Sequence, residues 1–286
     1  MAELTFVRGH TRDLAAVDQF ILDMFGVDVG PIAALGLADP TYEAFSYLDK
    51  QGALVANAAV FALTLMVGGV VVEAIGLQSV ATRPDWRRRG VAQALLRHVL
   101  AWCDGQGRPV LLMTDIPAFY APMGFAVMPQ SAFRGQAPCP APTVQSARRL
   151  NLNEGGDLAL LTARLKDRVA VSAQFAIMGG AGAFVLALLG PGGLQAWWID
   201  ALACLVVTRP CGAGGLHLVD VAGASIPALD TILGALNQAP AWVQTQFPPD
   251  RLSWVGAAHP AEGLTLMCRG NLPLPPMVAV PETAWF

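Results

Sequence analysis

The chain has 286 residues, 54% of them hydrophobic and 14% charged, and its formal net charge at pH 7 is −3. This length favours two domains of ordinary size over one, and the composition can supply a large core. A slightly acidic balance gives no electrostatic basis for binding nucleic acid, so we expect no nucleic-acid partner.

Two uncharged runs, residues 54–72 and 169–199, are long enough to cross a bilayer as helices. Glycine pairs interrupt both of them, at Gly68-Gly69 and at Gly179-Gly180. Turn residues between β-branched runs are typical of buried hairpins, so we expect no membrane span.

The cysteines and histidines predict neither a disulfide framework nor a metal site. The five cysteines are odd in number and widely spaced, without a Cys-x-x-Cys pair. The four histidines lack the spacing of metal ligands, so no metal is expected. No basic-then-apolar leader follows Met1, and the expected location is therefore the cytoplasm.

The first half of the chain predicts alternating strands and helices. Residues 13–25 carry an apolar stripe at helical spacing, and Pro40 suits the first turn of a second helix over residues 40–48. Strands are expected over residues 4–7, 52–59, 61–67, 70–80, 110–114 and 125–128. Such alternation predicts an α/β (α+β) fold, with a mixed twisted sheet flanked by helices.

Residues 87–92, Arg-Arg-Arg-Gly-Val-Ala, stand between a predicted strand and an amphipathic helix. The first amides of a helix have no intrahelical partner, and they lie at the positive end of the helix dipole. Gly90 lets the backbone approach an anion, and Ala92 keeps the next turn small. The helix is expected to begin at Val91 and to end at Gly105. The stretch therefore predicts a site for a phosphate-bearing ligand.

A second motif, Phe119-Tyr120-x-x-x-Gly124-Phe125, follows the strand at residues 110–114. A basic run before a helix is by itself also typical of a solvated face. The two motifs in this order, however, resemble the GNAT superfamily of acyl-CoA-dependent N-acyltransferases. The loop pattern of that family, Gln/Arg-x-x-Gly-x-Gly/Ala, falls on Arg87, Gly90 and Ala92. The resemblance implies transfer of an acyl group from coenzyme A to an amine.

The paired strands before the loop, residues 52–61 and 67–70, resemble the enhanced-intracellular-survival (Eis) branch of that superfamily. This branch carries two GNAT-like modules in tandem, usually followed by a sterol-carrier-like domain that this chain has no room for. The implied domains are a catalytic acetyl-CoA-binding domain over residues 1–135, a Pro-rich linker over 136–147, a degenerate GNAT-like domain over 148–270 and a tail over 271–286.

The second half is expected to form two long hairpins, a helix over residues 227–237 and a closing pair of strands. Residues 207–215 resemble the stretch around the phosphate loop, but a predicted strand rather than a helix follows over residues 216–221. Without a helix N-terminus there is no cradle of amides, so we expect this module not to bind the cofactor. It would shape the acceptor site or a dimer interface, which leaves a homo-oligomer open.

The resemblance implies acetyl-CoA (coenzyme A) as the cofactor, with its pyrophosphate on the loop and its pantetheine arm between strands 75–80 and 110–114. Either Arg87 or Arg88 would reach the 3′-phosphate, and a backbone amide of Ser79 or Val80 would donate to the thioester oxygen. The expected cofactor-binding residues are Ser79, Val80, Arg87, Arg88, Arg89, Gly90, Val91, Ala92 and Gln93.

Tyr120 is the expected general acid, because a phenol with a pKa near about 10 can protonate a thiolate and the acid tyrosine of the family matches this position. Members of the family carry a basic glutamate on the strand before the loop, but the matching position here is Gly76. Glu73, Asp115 and water stay open as bases. The resemblance to the Eis branch implies instead the terminal carboxylate, here that of Phe286.

The family fold implies that the first helix and the loop after it wall the acceptor site, which indicates Phe25, Tyr42 and Phe45. The sequence shows no acidic cluster of the kind that a polycation needs, which favours a small amine. We therefore expect an N-acetyltransferase acting on a primary amine of a small molecule, or on a lysine or an N-terminus, by direct attack in a ternary complex. The alternative is a non-catalytic acyl-CoA-binding sensor.

Overall fold

A computed structural model describes residues 4–9, 14–142, 146–212, 214–273 and 275–286. Among these residues, none of the helices combines the length and the apolar character needed to span a membrane. The long uncharged runs of the sequence are instead divided between strands and short helices that pack inside the protein.

The described residues form fifteen strands and seven α-helices. In chain order the strands are β1 (Thr5–Gly9), β2 (Glu43–Leu48), β3 (Leu54–Val67), β4 (Val70–Thr82), β5 (Val110–Thr114), β6 (Ala126–Val127), β7 (Ser131–Gln136), β8 (Arg148–Arg149), β9 (Phe175–Met178), β10 (Gln195–Ile199), β11 (Cys204–Pro210), β12 (Gly215–Gly223), β13 (Trp242–Thr245), β14 (Ala257–Pro260) and β15 (Thr265–Arg269). The helices are α1 (Leu14–Phe25), α2 (Gly30–Ala34), α3 (Val91–Gln106), α4 (Pro117–Tyr120), α5 (Gly155–Lys166), α6 (Ala181–Leu189) and α7 (Leu229–Leu236).

The strands form two mixed sheets with helices packed against them. The first sheet has the order β1-β2-β3-β4-β5-β15-β6, and β9 pairs with the far end of β3. The second has the order β14-β7-β13-β12-β11-β10-β8. Each sheet contains one parallel pair, β4–β5 in the first and β12–β13 in the second, and its other pairs are antiparallel. The predicted fold class is thus confirmed.

The two halves of the chain exchange strands. β7 follows β6 directly in the sequence, yet it pairs with β13 and β14 in the second sheet. In return β15 lies between β5 and β6 in the first sheet. The division into domains over residues 1–135 and 148–270 stays a prediction, and the exchange shows that neither sheet is built from one half alone.

Two predictions about secondary structure were wrong. Residues 40–48 form a turn and then strand β2, because Phe45 and Tyr47 face one side while Ala44 and Ser46 face the other, which is the period of a strand. Part of the expected hairpin over residues 169–199 is helix α6. Its apolar residues surround it on every side, so the sequence shows no helical stripe there.

Helix α3 packs its predicted apolar stripe against the first sheet. Val91, Leu95 and Val99 are buried together with residues of β3, β4 and β5. The helix ends at Gln106, one residue later than expected, because Gly107 rather than Gly105 takes the left-handed conformation that closes the last turn, with φ 64°. The stripe fixes the N-terminus of α3 above the ends of the strands that precede and follow it.

The Pro-rich segment after β7 lies on helix α7. The Ala141 amide donates to the Asp230 carbonyl at 2.9 Å, and the Ala147 amide donates to the Ala235 carbonyl at 2.7 Å. Gly234 makes this close approach feasible, since a Cβ there would lie 2.1 Å from the Ala141 carbonyl oxygen.

We predict that Gly234→Ala lowers the free energy of unfolding by about 1–3 kcal/mol, because the new methyl group has to displace the Ala141 backbone. Urea denaturation measures the change. Gly105→Ala is the matched control: it lies in helix α3 with no atom near its Cβ position, and replacing a helical glycine there should add up to about 1 kcal/mol. Equal stabilisation by both substitutions would contradict the packing described.

Candidate active site

The two parallel strands β4 and β5 separate within the first sheet. They are in register only at Ile75–Val110 and Gly76–Leu111, although β4 continues to Thr82 and β5 to Thr114. The inner edges of residues 77–82 and 112–114 are therefore not paired with each other. Backbone groups along this gap are available to a ligand, since a strand edge without a neighbour presents unpaired donors and acceptors.

A β-bulge in β4 lies beside this gap. Asn57 is in register with Ala81 and Ala59 with Gln78, so that Ser79 and Val80 together oppose Ala58. Ser79 has φ 55°, in the left-handed region that a residue other than glycine seldom adopts. The bulge interrupts the regular register of β4 with β3 at Ser79 and Val80.

A buried amide side chain braces the bulge from β3. Asn57 is fully buried, and its Nδ2 donates to the Ser79 carbonyl at 3.2 Å. The Ser46 hydroxyl donates to Asn57 Oδ1 at 2.9 Å. Sequence analysis missed this residue, although one asparagine within an apolar strand run was a readable signal, because a buried amide is retained only where it is hydrogen-bonded.

The loop before α3 ends in an uncapped helix N-terminus. Gly90 has φ 74° and open space where a Cβ would stand, and no side chain among the described residues caps the helix. The first intrahelical bond is donated by Ala94 to the Gly90 carbonyl at 2.9 Å. The amides of Val91, Ala92 and Gln93 precede it and so have no acceptor within the helix.

The structure distinguishes the three arginines of the loop. Arg87 Nε donates to the Thr82 carbonyl at 3.0 Å, which ties the loop to the end of β4. The guanidinium carbon of Arg89 lies 5.3 Å from the centre of the Trp86 ring. Arg88 is exposed, has φ 59° and makes no hydrogen bond or ion pair to any residue that the structure describes. Arg88 is therefore the arginine best placed to reach a ligand.

A groove of about 410 Å³ runs along α3 from the loop towards α4. It is lined by Gln93, Arg97, Leu100, Ala101, Asp104, Phe119, Pro122 and Met123. Of these residues only Gln93 belongs to the predicted site. The groove combines an aromatic ring, a guanidinium and aliphatic walls at the end of the loop, which suits a planar heterocycle that carries phosphate.

Tyr120 lies on the α3 side of the sheet. Its side chain is buried, and its ring packs against the rings of Phe119 and Phe125 at centroid distances of 5.0 and 5.9 Å. Burial, and then the negative charge of Asp115, raise the pKa of Tyr120 to about 12. The structure shows no hydrogen bond from the Tyr120 hydroxyl to any described residue. The phenol is therefore protonated, and its hydroxyl donates no hydrogen bond to any described residue.

Phe286 lies on the other face of the same strands. Its ring meets the Phe61 ring edge-on at a centroid distance of 5.4 Å, and Phe61 covers Gly76 so closely that a Cβ there would lie 2.3 Å from the ring. Phe286 and Met113 belong to the core on this face, whereas Tyr120 belongs to the core beneath α3. The predicted acid and the predicted base thus approach β4 and β5 from opposite sides.

The other two candidate side-chain bases, Glu73 and Asp115, are exposed. Glu73 is exposed and is paired with Thr64, whose hydroxyl donates to Glu73 Oε1 at 3.3 Å. Glu73 is three positions before Gly76, an odd offset, which puts its side chain on the α3 face of β4. Asp115 is exposed just beyond β5.

The structure brings together only part of the predicted acceptor wall. Tyr42 packs with the buried face of α1, close to the bulge, and Phe25 is exposed at the end of that helix. Burial raises the pKa of Tyr42 to about 12, against the opposing effect of hydrogen bonding to Ser79 and Asn57. Phe45 does not join them, because it is buried on the α3 side with its ring 5.9 Å from that of Trp102.

Comparison with known proteins agrees with this geometry. Residues 38–128 match the family model of the acetyltransferase (GNAT) domain, a segment that contains the bulge, the loop and Tyr120. No curated protein sequence matches the chain. Residues 38–128 are therefore similar to a GNAT acetyltransferase domain.

Solved structures extend the similarity of fold to most of the chain. A probable N-acyltransferase from Enterococcus faecalis has a TM-score of 0.60 at 13% identity, over 93% of this chain and 72% of that one. Eis1 from Mycobacterium abscessus has a TM-score of 0.58 at 17% identity, over 93% of this chain and 73% of that one. A GCN5-related N-acetyltransferase from Kribbella flavida has a TM-score of 0.53 at 19% identity, over 93% and 72%. The predicted resemblance to the Eis branch is thus confirmed at the level of the fold.

We predict that Asn57→Leu lowers the free energy of unfolding by about 1–3 kcal/mol, because it leaves the Ser46 hydroxyl and the Ser79 carbonyl buried without their partner. Chemical denaturation measures the loss. Asn153→Leu replaces an exposed asparagine and should change stability by no more than about 0.5 kcal/mol. If Asn57→Leu were as stable as the parent, the bulge would not depend on this amide.

Proposed function

We propose that the protein is an acetyl-CoA-dependent N-acetyltransferase, which moves the acetyl group to a primary amine of a small molecule or to a lysine or an N-terminus. The observation that carries this proposal is the gap between β4 and β5, with a bulge on one edge and an uncapped helix N-terminus at its end. A thioester whose pantetheine arm follows the gap would meet both features at once.

The residues present fit a coenzyme A derivative. The unpaired amides of Val91, Ala92 and Gln93 suit a pyrophosphate, and Gly90 leaves the approach to them open. Arg88 is free to reach the 3′-phosphate, whereas Arg87 is occupied by the Thr82 carbonyl. The groove between α3 and α4 would hold the adenosine.

Acetyl-CoA, when bound, supplies an activated acetyl thioester. The amides of Ser79 and Val80 would donate to its carbonyl oxygen, since the bulge interrupts the regular register with β3 at these two residues. Donors fixed in advance stabilise the charge that develops on such an oxygen and need no reorganisation during the reaction. Asn57 contributes indirectly by holding the Ser79 carbonyl, which fixes the backbone that carries these donors.

Tyr120 would hold the proton for the departing thiolate. A pKa of about 12 keeps the phenol protonated from acid to strongly alkaline pH, so the hydroxyl has a proton to donate throughout this range. Its hydroxyl has no other hydrogen bond within the described residues to give up. The buried, aromatic surroundings also exclude water from the leaving sulfur, which strengthens a short donor contact there.

The base of this proposal is the α-carboxylate that Phe286 carries in the sequence as it stands. Phe286 lies on the face opposite Tyr120, beside the Gly76 position where related enzymes carry a glutamate. An amine that enters on this face can lose its proton to the carboxylate and attack the thioester in the gap. Direct attack in a ternary complex follows, because acid and base act from opposite sides of one carbonyl.

The acceptor would enter past α1, where Tyr42 and the exposed Phe25 lie. Burial, and then the charge of Asp28, raise the pKa of Asp18, and the charge of Asp18 contributes to the raised pKa of Tyr42. These carboxyl groups add negative potential on the acceptor side, which favours a protonated amine over a neutral or anionic substrate. The sequence alone did not reveal that Asp28 acts on Asp18 and that Asp18 acts on Tyr42.

A non-catalytic acyl-CoA-binding protein is the second candidate. The absence of a carboxylate side chain at Gly76 favours it, because such a protein needs the loop and the groove but no base. Turnover separates the two candidates. An N-acetyltransferase forms an acetylated amine and free thiol, whereas a sensor binds acetyl-CoA and leaves it intact with every amine tested.

For cofactor binding we predict that Gln93→Glu weakens acetyl-CoA about tenfold or more without loss of stability. A carboxylate in the first turn of α3 stabilises the helix dipole but repels a pyrophosphate. Calorimetric titration and a thermal melt measure the two effects. The control, Gln106→Glu at the other end of α3, should leave binding unchanged, and equal binding by parent and Gln93→Glu would contradict the proposed pyrophosphate site.

For catalysis we predict that Tyr120→Phe lowers kcat by a factor of about 10²–10⁴, with the Kd for acetyl-CoA and the melting temperature nearly unchanged. The hydroxyl has no structural partner among the described residues, so its removal should cost little stability. Because the pKa lies near 12, the activity of the parent should show no alkaline loss attributable to this group below about pH 11. A kcat equal to that of the parent would exclude Tyr120 as the proton donor.

A further inference from the structure

Residues 281–286 contact both sheets: polar groups of the second sheet bind Glu282 and Thr283, whereas Ala284, Trp285 and Phe286 pack in the core of the first sheet. Glu282–Ala284 forms a 3-10 turn in which Thr283 and Ala284 are buried. This turn packs against α6 and β12. A terminal segment that is only frayed would have exposed backbone and few partners, whereas this one is held by specific polar groups.

The first of these groups is Asp220 on β12. Its carboxylate is buried, and Thr283 Oγ1 donates to Asp220 Oδ2 at 2.6 Å. The Val221 amide donates to Oδ1 at 2.8 Å, and Arg168 Nη1 lies 3.7 Å from Oδ2. Burial raises the pKa of Asp220, while Arg168 and these two hydrogen bonds oppose the rise. The carboxylate is thus fully engaged, and the tail supplies one of its partners.

The second group is Arg209 on β11. Its Nη2 donates to Glu282 Oε2 at 2.6 Å, and its Nε donates to the Gly192 carbonyl at 2.8 Å. Gly192 allows this approach, since a Cβ there would lie 2.9 Å from Glu282 Oε1. Two adjacent residues of the tail, Glu282 and Thr283, are therefore bound by two adjacent strands of the second sheet.

The last two residues leave this anchor towards the first sheet. Trp285 Nε1 donates to the Val280 carbonyl at 3.3 Å, and its ring lies against Gly263, where a Cβ would be 3.1 Å away. Phe286 then meets Phe61 above Gly76. Thr283, which binds Asp220, is only three residues before Phe286, which contacts Phe61. A shift of one residue at Thr283 would therefore move Phe286 by about 3 Å or more.

We infer that Asp220 and Arg209 are positioning residues for acyl transfer: through Thr283 and Glu282 they set the tail so that Phe286 closes the acceptor side of the gap. This inference rests on the proposed function and assigns a role to the second sheet. Polar anchors suit the task better than apolar ones, because hydrogen bonds require one register whereas apolar packing tolerates slippage.

The test uses the full chain with Thr283→Val, which keeps the size of the side chain and removes the hydroxyl. Thr283→Ser restores the hydroxyl, and Thr162→Val is the control because the Thr162 hydroxyl only donates to the Ala159 carbonyl of its own helix at 3.1 Å. Two quantities are measured for each variant. One is hydrogen exchange of the amides of residues 282–286, and the other is kcat with the KM for acetyl-CoA.

We expect Thr283→Val to speed exchange in the tail about tenfold or more, because the buried carboxylate loses a strong donor and the segment opens more often. The same variant should lower kcat at least fivefold with the KM for acetyl-CoA unchanged. Thr283→Ser should recover both quantities, and Thr162→Val should change neither. Because partial unfolding would also lower the apparent kcat at an unchanged KM, kcat is expressed per folded molecule, with the folded fraction of each variant taken from its thermal melt.

Each contrary outcome overturns a different statement. Unchanged exchange in Thr283→Val overturns the docking through Asp220. Faster exchange with unchanged kcat overturns the positioning role, while acyl transfer itself stands. If the parent shows no turnover with any amine, the proposed function fails, and the exchange experiment still decides whether the second sheet holds the tail.

Discussion

The separation of β4 from β5 is sustained by pairing on their outer edges. β4 is hydrogen-bonded along β3, and β15 pairs with the whole of β5, from Thr114 to Val110. Because each strand keeps one complete neighbour, their inner edges can remain unpaired without the strands detaching from the sheet. The gap, and with it every role proposed for Ser79, Tyr120 and Phe286, depends on a strand that the second half of the chain contributes.

The second half of the chain supports the first sheet directly. It supplies β15, which supports β5, and β9, which extends the first sheet beside β3. It also holds residues 281–284 through Asp220 and Arg209. The second half of the chain thus stabilises one wall of the gap and, by our inference, sets the segment that faces the acceptor.

Sequence reasoning succeeded where the signal was local. The phosphate loop, the stripe of α3 and strand β5 each depend on residues within one short window, and the structure has these elements at the expected positions. It failed for β2. Pro40 suggested a helix, but Phe45 and Tyr47 lie two residues apart on one face, which is the period of a strand. It also missed α6, whose uniformly apolar surface has no period to detect.

The remaining features could not be predicted from short windows of sequence, because they depend on contacts between distant segments. The insertion of β15 between β5 and β6 joins segments more than a hundred residues apart. The placement of Phe45 and Tyr42 on opposite faces follows from the register of β2, which the incorrect helix concealed. Asn57 was detectable as an isolated amide in an apolar run, but its partner, the Ser79 carbonyl, becomes visible only once the bulge is known.

The central claim is that the bulge and the start of α3 together hold acetyl-CoA along the gap. Hydrogen exchange of the parent protein, with and without saturating acetyl-CoA, tests it most directly at the amides of residues 79–80 and 91–93. The account predicts that both groups of amides become protected together on binding, while those of β12 in the second sheet do not change. Binding that protects neither group, or that protects only amides of the second sheet, would contradict it.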